Sequence, residues 1–325
     1  MPAPEMVTHT PRHLLVPFAA AQSPGCHAAM QGLSLPHLEA LIQRLMPQGT
    51  DEGDESDLSM PHERALAQAR NLSGDDGRLP WAAADSDRPQ TPQAWFSPCH
   101  FQIGMDQVTL LTPLQIGLDE ATSRTLCAAL AELARDDGIE LTFEHSGLWR
   151  GQGEPLRRLH SASLDRVSGR PVAPWMAASP DNAAGQRLLQ RLHSEAQMLF
   201  YNHPANDARE AQRRLPVNGF WVHGAGACTD GEPGPGPAPD MPDTLRQAAL
   251  HDDWSGWLSA WQTLDAGPVA ELLHAADSGQ AVRLTLCGER HSRSWVSNGT
   301  GSRWWQRLGA RWCRLPPAGE TLSTL

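Results

Sequence analysis

The clearest hydrophobic pattern in the chain lies between Gln186 and Gly226. Apolar side chains recur there at helical spacing, at Leu188, Leu192, Ala196 and Leu199. This spacing predicts one apolar stripe on an amphipathic helix. Pro204 disfavours helical backbone at the residue before it, so we expect the helix to end near Asn202.

A second short helix and a strand are expected to follow. Asn206 has the residue type of a helix N-cap, and the helix that it would start carries Arg209. The apolar run Val217–Val222 then predicts a β-strand. Two glycines come next, Gly224 and Gly226, and glycine allows a sharp turn or a close approach to a ligand. A strand that leads into a glycine turn is a frequent way to build an anion site.

Shorter patterns on either side alternate between strand and helix. Leu14–Phe18 and Val282–Cys287 are apolar runs typical of buried strands. Helices are expected to begin near Pro36 and Pro61, because proline is tolerated in the first helical turn. The residues around Gly104 favour a hairpin or a bulged strand.

Two more helices are predicted from their ends and apolar stripes. Asp119 is a typical N-cap, and Gly138 would end its helix before a strand at 139–143. A later stripe is rich in tryptophan and consists of Trp254, Trp257, Leu258 and Trp261. Core packing explains this stripe better than ligand stacking does.

These elements predict an α/β fold with a sheet flanked by helices. We expect Leu14–Phe18, Val217–Val222 and Val282–Cys287 to lie in one sheet. Ligands bind at the carboxyl ends of the strands in such sheets. The groups that follow these strands are therefore candidate catalytic groups: His223, Glu289 and His291.

The domain organisation is expected to be simple. We predict a flexible tail at residues 1–12, an α/β domain at 13–315 and a second flexible tail at 316–325. A smaller lobe is expected to be inserted around residues 95–215.

Composition narrows the classes of function. The chain has 325 residues and a formal net charge of -11, which disfavours binding to nucleic acid or to an anionic membrane. It lacks an apolar run of membrane-spanning length and a secretion-type start, so we expect a cytoplasmic protein. The six cysteines include no Cys-x-x-Cys pair, so we expect reduced thiols.

All 26 basic residues are arginine. The absence of lysine excludes a lysine Schiff base, a P-loop lysine and a lysine general base. Arginine remains well suited to bidentate binding of phosphate and carboxylate. A codon bias from a GC-rich genome is the simpler cause of the missing lysine.

Two polar stretches leave their role open. The five carboxylates within Asp51–Asp57 could gather a divalent ion, although a solvated loop is the favoured interpretation. His100 and Asp106 lie in an apolar setting, where they would either face a cleft or serve in caps and internal hydrogen bonds.

Several of these residues carry a resemblance to a known family. His203, Asn206 and Arg209 precede Asn218-Gly219-Phe220-Trp221 and the glycine turn, and the whole stretch resembles the archaeal-type cofactor-independent phosphoglycerate mutases of the alkaline-phosphatase superfamily. An upstream motif, Asp165-Arg166-x-x-Gly169-Arg170, resembles a second arginine motif of these enzymes. The whole chain also resembles a proteobacterial family labelled RpfE-type regulatory protein or predicted phosphoglycerate mutase.

The resemblance implies an alkaline-phosphatase-like sheet and a set of ligand-binding residues. That set is Asp165, Arg166, Arg170, His203, Asn206, Arg209 and Asn218. Arg166, Arg170 and Arg209 are expected to converge on one cleft and to bind an anion. The alternative for the upstream motif is a surface loop with an ion pair of little energetic value.

The metal ligands that the resemblance implies are missing. In the family, the first strand ends at an aspartate followed by glycine, whereas this strand runs into Ala19-Ala20-Ala21. The family's aspartate-histidine pair corresponds to Glu289 and His291, with an arginine between them. We therefore expect neither a metal nor another cofactor.

Three functions remain open at this point. The favoured one is a phosphoglycerate-mutase-like, regulatory protein that binds a small phosphorylated or carboxylated metabolite without metal-dependent catalysis. The alternatives are an active phosphomutase or phosphoesterase with altered site chemistry, and a protein-interaction module. A protein partner or a homodimer is expected to use the tryptophan-rich C-terminal segment: Trp295, Trp304, Trp305 and Trp312.

Overall fold

The computed structural model describes residues 11–176, 180–229, 237–298 and 318–325. They form a mixed α/β structure in which two sheets are flanked by helices. The chain divides into two compact units. Unit 1 comprises Met1–Glu55, Pro61–Ala69 and Pro237–Leu325, and unit 2 comprises Ser56–Met60 and Arg70–Gly236.

The strands, in chain order, are β1 (Arg12–Val16), β2 (Met46–Asp51), β3 (Gln93–Ile103), β4 (Val108–Leu111), β5 (Glu140–His145), β6 (Leu148–Gln152), β7 (Gly219–Gly226), β8 (Ala281–Cys287) and β9 (Ser292–Asn298). The first helices are α1 (Pro24–Met30), α2 (Pro36–Arg44), α3 (Pro61–Ala69), α4 (Trp81–Ala84), α5 (Glu120–Asp136) and α6 (Leu164–Val167). The later ones are α7 (Ala183–Tyr201), α8 (Pro204–Ala211), α9 (Arg246–Leu250), α10 (Trp254–Leu264), α11 (Ala270–Asp277) and α12 (Ala318–Leu322). A π-helical turn, Asp265–Val269, joins α10 to α11.

Unit 1 contains a four-stranded sheet in the order β1-β8-β9-β2. β1 and β8 are parallel, and the other neighbours are antiparallel. The predicted tryptophan stripe on α10 packs in the core, because Trp257 and Trp261 are fully buried. Their indole N–H groups donate to the carbonyls of Phe18 and Ala19, at 2.9 and 3.2 Å. The core helix thus fixes the chain where it leaves β1.

Unit 2 contains a five-stranded sheet in the order β4-β3-β6-β5, with β7 paired to β3. The expectation that β7 shares a sheet with β1 and β8 is therefore wrong. β7 pairs antiparallel with β3 from Cys99↔Gly219 to Gln93↔Gly226. An apolar run specifies a strand but not its partner, and here the partner is fixed by main-chain and side-chain hydrogen bonds to β3.

The two faces of the unit 2 sheet differ in character. One face packs against α5 and α7 through a large apolar core, which includes Phe96, Trp149 and Phe220. The opposite face carries a smaller cluster, which includes Cys99 and Trp221 and lies against residues of the 162–175 segment. Side chains alternate between faces along a strand, so Ser97 and His223 lie on this second face. We call it the polar face of unit 2.

Several helical predictions are confirmed. Asp119 caps α5 by accepting a hydrogen bond from the Thr122 N–H at 2.9 Å, and Gly138 follows the helix with a φ of 76°. α7 ends at Tyr201, one residue before the expected end. The hairpin near Gly104 is formed by β3 and β4, with the Gly104 N–H donating to the Gln107 carbonyl.

Two boundaries differ from the predictions. α8 begins at Pro204 with His203 as its N-cap, so Asn206 lies inside the helix rather than at its cap. The helix begins earlier than expected because the φ angle of proline is fixed near the helical value, which favours proline at the first helical position. β7 runs through the glycines to Gly226, and they form part of a strand rather than a terminal turn.

Residues 318–325, expected to belong to a tail, contain α12 and bury Leu322 and Leu325. The Leu325 carbonyl accepts a hydrogen bond from the His291 N–H at 3.0 Å. Trp295 of the tryptophan-rich segment pairs with Leu284 and is only 5% exposed. Trp304, Trp305 and Trp312 lie outside the described residues.

His193 should make stability depend on pH. The centroid of its ring lies 4.1 Å from that of the Phe220 ring, and the two rings are stacked. Burial lowers the pKa of His193 from 6.5 to about 4. Between these values the unfolded chain binds more protons, so stability falls as pH decreases from 6.5 to 4. We predict that His193→Phe reduces the difference in unfolding free energy between pH 7.5 and pH 4.5 by roughly 2 kcal/mol. Urea unfolding at pH 7.5 and 4.5 measures it.

The control is Gln190→Phe, which changes an exposed position on the same helix. It should leave the difference in unfolding free energy between the two pH values unchanged. Equal pH dependence in His193→Phe and the parent would show that this imidazole does not limit acid stability.

Candidate functional site

The carboxyl ends of β1 and β8 lie side by side in unit 1. The Glu289 carboxylate accepts a hydrogen bond from the Gln22 N–H at 2.9 Å. His291 Nδ1 accepts one from the Gly53 N–H at 3.2 Å. Both candidate catalytic residues therefore hold main-chain segments of unit 1. His223 lies on β7 in the sheet of unit 2, so the three residues do not follow strands of one sheet.

These residues do not fit the two-metal centre that the family resemblance implies. β1 leads into Phe18 and three alanines, which supply no metal ligand, and the Ala19 N–H donates to the Cys287 carbonyl at 2.8 Å. Within the described ranges, no group of three His, Cys, Asp or Glu side chains is placed to hold a metal ion. The acidic run contributes ion pairs: Asp51 binds Arg64 at 2.8 Å and Glu55 binds Arg290.

Asn206 holds the chain around the start of β7. Its side-chain N–H₂ donates to the carbonyls of Phe200 and Val217, at 2.8 and 2.7 Å. Its side-chain oxygen accepts from the Val217 N–H at 2.9 Å. The residue is 3% exposed, so the amide satisfies main-chain groups that would otherwise be buried without partners.

Arg209 has a similar role on the next turn of α8. Its guanidinium donates to the carbonyls of Leu215, Ile116 and Gly117, at 2.9, 2.6 and 3.4 Å. Asp119 lies 3.8 Å away, and burial lowers the Arg209 pKa. Most of its donors therefore point at the protein's own main chain.

Asn218 and His203 also contact the main chain. Asn218 accepts from the Phe101 N–H at 2.6 Å and donates to the Phe101 carbonyl at 3.0 Å, which sets the register of β7 against β3. His203 Nδ1 accepts from the Ala205 N–H at the start of α8. His100, the other candidate histidine, bonds to the Pro216 carbonyl through Nδ1 at 2.8 Å.

The second arginine motif lies beside the polar face of unit 2. Ser163 caps α6 and accepts from the Arg166 N–H. Arg166 is 2% exposed and Asp165 is 7% exposed. The Arg166 guanidinium lies 5.5 Å from the Trp175 ring centroid and 3.5 Å from the Ser59 carbonyl. Arg166 and Arg209 thus contact different elements, and the expected convergence of all three arginines stays a prediction.

Ser97 is the residue that sequence reasoning missed. Its Oγ lies 3.0 Å from His223 Nε2 across the β3 and β7 strands. Ser97 is fully buried and His223 is 9% exposed. The Trp95 ring lies 5.5 Å from the imidazole. A polar residue in an apolar strand was the only sequence signal, because 126 positions separate the two side chains.

A bulge follows His223 on β7. Trp95 pairs with His223 and Gln93 pairs with Gly226, so β7 has one residue more than β3 between these pairs. Gly224 adopts a φ of 61° there, a backbone conformation that residues with a side chain rarely adopt. Bulges redirect neighbouring side chains. Here the regular pairing of β7 with β3 ends at His223.

Comparisons with known proteins find only distant similarity. No protein-family model matches the chain, and no curated protein matches it. A solved cofactor-independent phosphoglycerate mutase from Thermoplasma acidophilum is 11% identical, with a TM-score of 0.36, over 90% of this chain and 91% of that one. The PH0037 protein of Pyrococcus horikoshii is 11% identical, with a TM-score of 0.47, over 88% and 87%. No functional residue is transferred from either structure.

A helix crosses a bilayer only when it is long and apolar enough to span the hydrocarbon core. Within residues 11–176, 180–229, 237–298 and 318–325, no helix has the length and apolar character needed to cross a membrane.

Removing the Arg209 guanidinium should destabilise the fold. We predict that Arg209→Met lowers the free energy of unfolding by about 2–4 kcal/mol, because the carbonyls of Leu215, Ile116 and Gly117 lose donors. Chemical denaturation measures the change. Arg214→Met, at an exposed position close by in the chain, should cost less than about 0.5 kcal/mol. Equal stability of the two variants would contradict the structural role of Arg209.

The bulge should be sensitive to a single added carbon. A Cβ at Gly224 would lie 3.0 Å from the Trp95 ring and 3.1 Å from the Trp81 Cβ, in addition to the strain of positive φ. At Gly117, φ is 57° but no atom lies within 4 Å. We predict losses of about 1 kcal/mol for Gly117→Ala and about 2–3 kcal/mol for Gly224→Ala. Thermal unfolding of both variants separates backbone strain from crowding, and equal losses would exclude crowding.

Proposed function

We propose that this protein is a phosphoglycerate-mutase-like binding protein for a small metabolite that carries phosphate or carboxylate. The ligand site lies in unit 2, at Arg166 and Arg170 beside the polar face. The observation that supports it is the burial of the charged Arg166 side chain, which is 2% exposed and lies against the Trp175 ring. We propose a regulatory role for this binding, without metal-dependent catalysis.

The position of Arg166 gives this proposal its physical basis. The guanidinium places a positive charge beside the polar face, and an anionic ligand bound there would form charge-assisted hydrogen bonds with arginine. The Trp175 ring supports the guanidinium by a cation–π contact. Arg170 lies four residues later, beyond the end of α6, and is only partly buried, so it lies nearer to solvent. Two guanidinium groups of this kind suit a doubly charged phosphate.

Arg209 and Asn206 are not part of this ligand site. Their donors bond to main-chain carbonyls, and a ligand that used those donors would leave the carbonyls unsatisfied. The protein as a whole is acidic, so the positive site must be local.

Calorimetric titration with 3-phosphoglycerate and with inorganic phosphate tests the proposal. We predict that Arg170→Met weakens 3-phosphoglycerate binding roughly 10- to 100-fold, the equivalent of about 1.5–3 kcal/mol for a charge-assisted hydrogen bond. Arg166→Lys should also weaken it, because lysine lacks the planar fork of donors.

The matched control is Arg187→Met, an exposed arginine on α7, which should bind as the parent does. Melting curves establish that each variant is folded. Equal affinity in the parent and Arg170→Met would place the ligand elsewhere. No binding of either anion by the folded parent would overturn the proposal and favour the protein-interaction module.

A further inference from the structure

We infer that Ser97 and His223 form a nucleophile–base pair that accepts acyl groups from small carboxylic esters. This activity is independent of the proposed anion binding. The pair consists of a hydroxyl and an imidazole whose Oγ and Nε2 atoms are 3.0 Å apart. That distance lies within the range of a serine and its general base.

The strands hold the two groups together. Ser97 pairs with Trp221 and Trp95 pairs with His223, so the serine and the histidine are diagonal neighbours on adjacent antiparallel strands. Both side chains lie on the polar face, because they alternate with Phe96 and Val222, which pack in the opposite core. A pair positioned by two hydrogen-bonded strands needs little rearrangement before proton transfer.

The surroundings of the imidazole are also fixed. Trp95 lies against its ring, and the bulge at Gly224 follows it directly. His223 retains some solvent exposure, whereas Ser97 has none. The ester and the hydrolytic water must therefore approach Ser97 Oγ from the side of the imidazole.

A hydrogen bond from Trp221 joins the polar face to the segment that precedes α6. The Trp221 indole N–H donates to the Ala162 carbonyl at 2.9 Å, one residue before the cap of α6. This contact ties the segment that bears Asp165 and Arg166 to the same face as Ser97. Shared packing of Trp221 with Ala162 and Val167 strengthens that connection.

The chemical steps balance with water as the only co-reactant. Ser97 Oγ bonds to the ester carbonyl carbon while its proton moves to His223 Nε2. The carbon–oxygen bond to the alcohol then breaks, and the proton passes from Nε2 to the departing oxygen. Water attacks the acyl-serine and gives one proton to Nε2. The bond between the acyl carbon and Ser97 Oγ then breaks. The proton returns from Nε2 to Oγ, and the carboxylic acid is released.

Two measurements on the full chain test the pair. The first is labelling by a small fluorophosphonate, which phosphonylates an activated serine and releases fluoride, followed by peptide mapping. We expect one label per chain at Ser97, abolished in His223→Gln. The second is hydrolysis of p-nitrophenyl acetate. Ser97→Ala and His223→Gln should each lower the rate at least 100-fold, whereas Ser194→Ala, at an exposed serine on α7, should not change it.

The labelling experiment decides the matter even if the variants do not fold, because it needs only the parent chain. Absence of a label at Ser97, under conditions that label trypsin fully, would overturn the inference. The same holds for parent hydrolysis no faster than that of Ser97→Ala. The serine and histidine would then form a buried structural hydrogen bond, and the anion-binding proposal would be unaffected.

Discussion

The arrangement of unit 2 depends on the need to satisfy buried main-chain groups around the start of β7. A buried N–H or carbonyl without a partner costs about 1–3 kcal/mol, so each one must find a donor or acceptor. Between α8 and β7 the chain turns away from regular structure, and helix or sheet ladders cannot supply all the partners. Asn206 and Arg209 supply them from within α8, and Asn218 supplies them from the residue before the strand. These contacts join α8, the region before α5, β3 and β7.

This requirement explains why a motif that resembles a ligand site can be structural. An amide offers donors and an acceptor, and a guanidinium offers five donors, whether the partner is a metabolite or a main chain. In Asn206, both the amide N–H₂ and the oxygen bond to the backbone, as they would to a ligand of the right shape. Residue type and spacing are therefore equally compatible with both roles. Only the direction of the donors distinguishes them.

The sequence carried enough information for the helices but not for the sheets. Helical periodicity and caps act over a few residues, so α5 with its Asp119 cap and α7 with its leucine stripe could be predicted. Strand pairing depends on residues far apart in the chain. The apolar run of β7 fits either sheet, and its selection of β3 rests partly on the contact between Asn218 and Phe101, 117 positions apart. The contact between Ser97 and His223 depended on that pairing and could not be predicted before it.

The two buried arginines of unit 2 show how one residue type takes different roles. Around Arg209, carbonyl dipoles replace the lost hydration, and Asp119 adds a partly exposed negative charge. Carbonyls that point at a guanidinium make it part of the scaffold, because moving it would leave them unsatisfied. Around Arg166, the indole of Trp175 supplies a polarisable surface, which restricts the guanidinium less in direction than a carbonyl does. Arg166 also contacts the Ser59 carbonyl at 3.5 Å, so it combines an aromatic contact with a main-chain contact. Burial alone is therefore a poor guide to function in a chain whose basic residues are all arginine, and the kind of partner that surrounds each guanidinium is the better one.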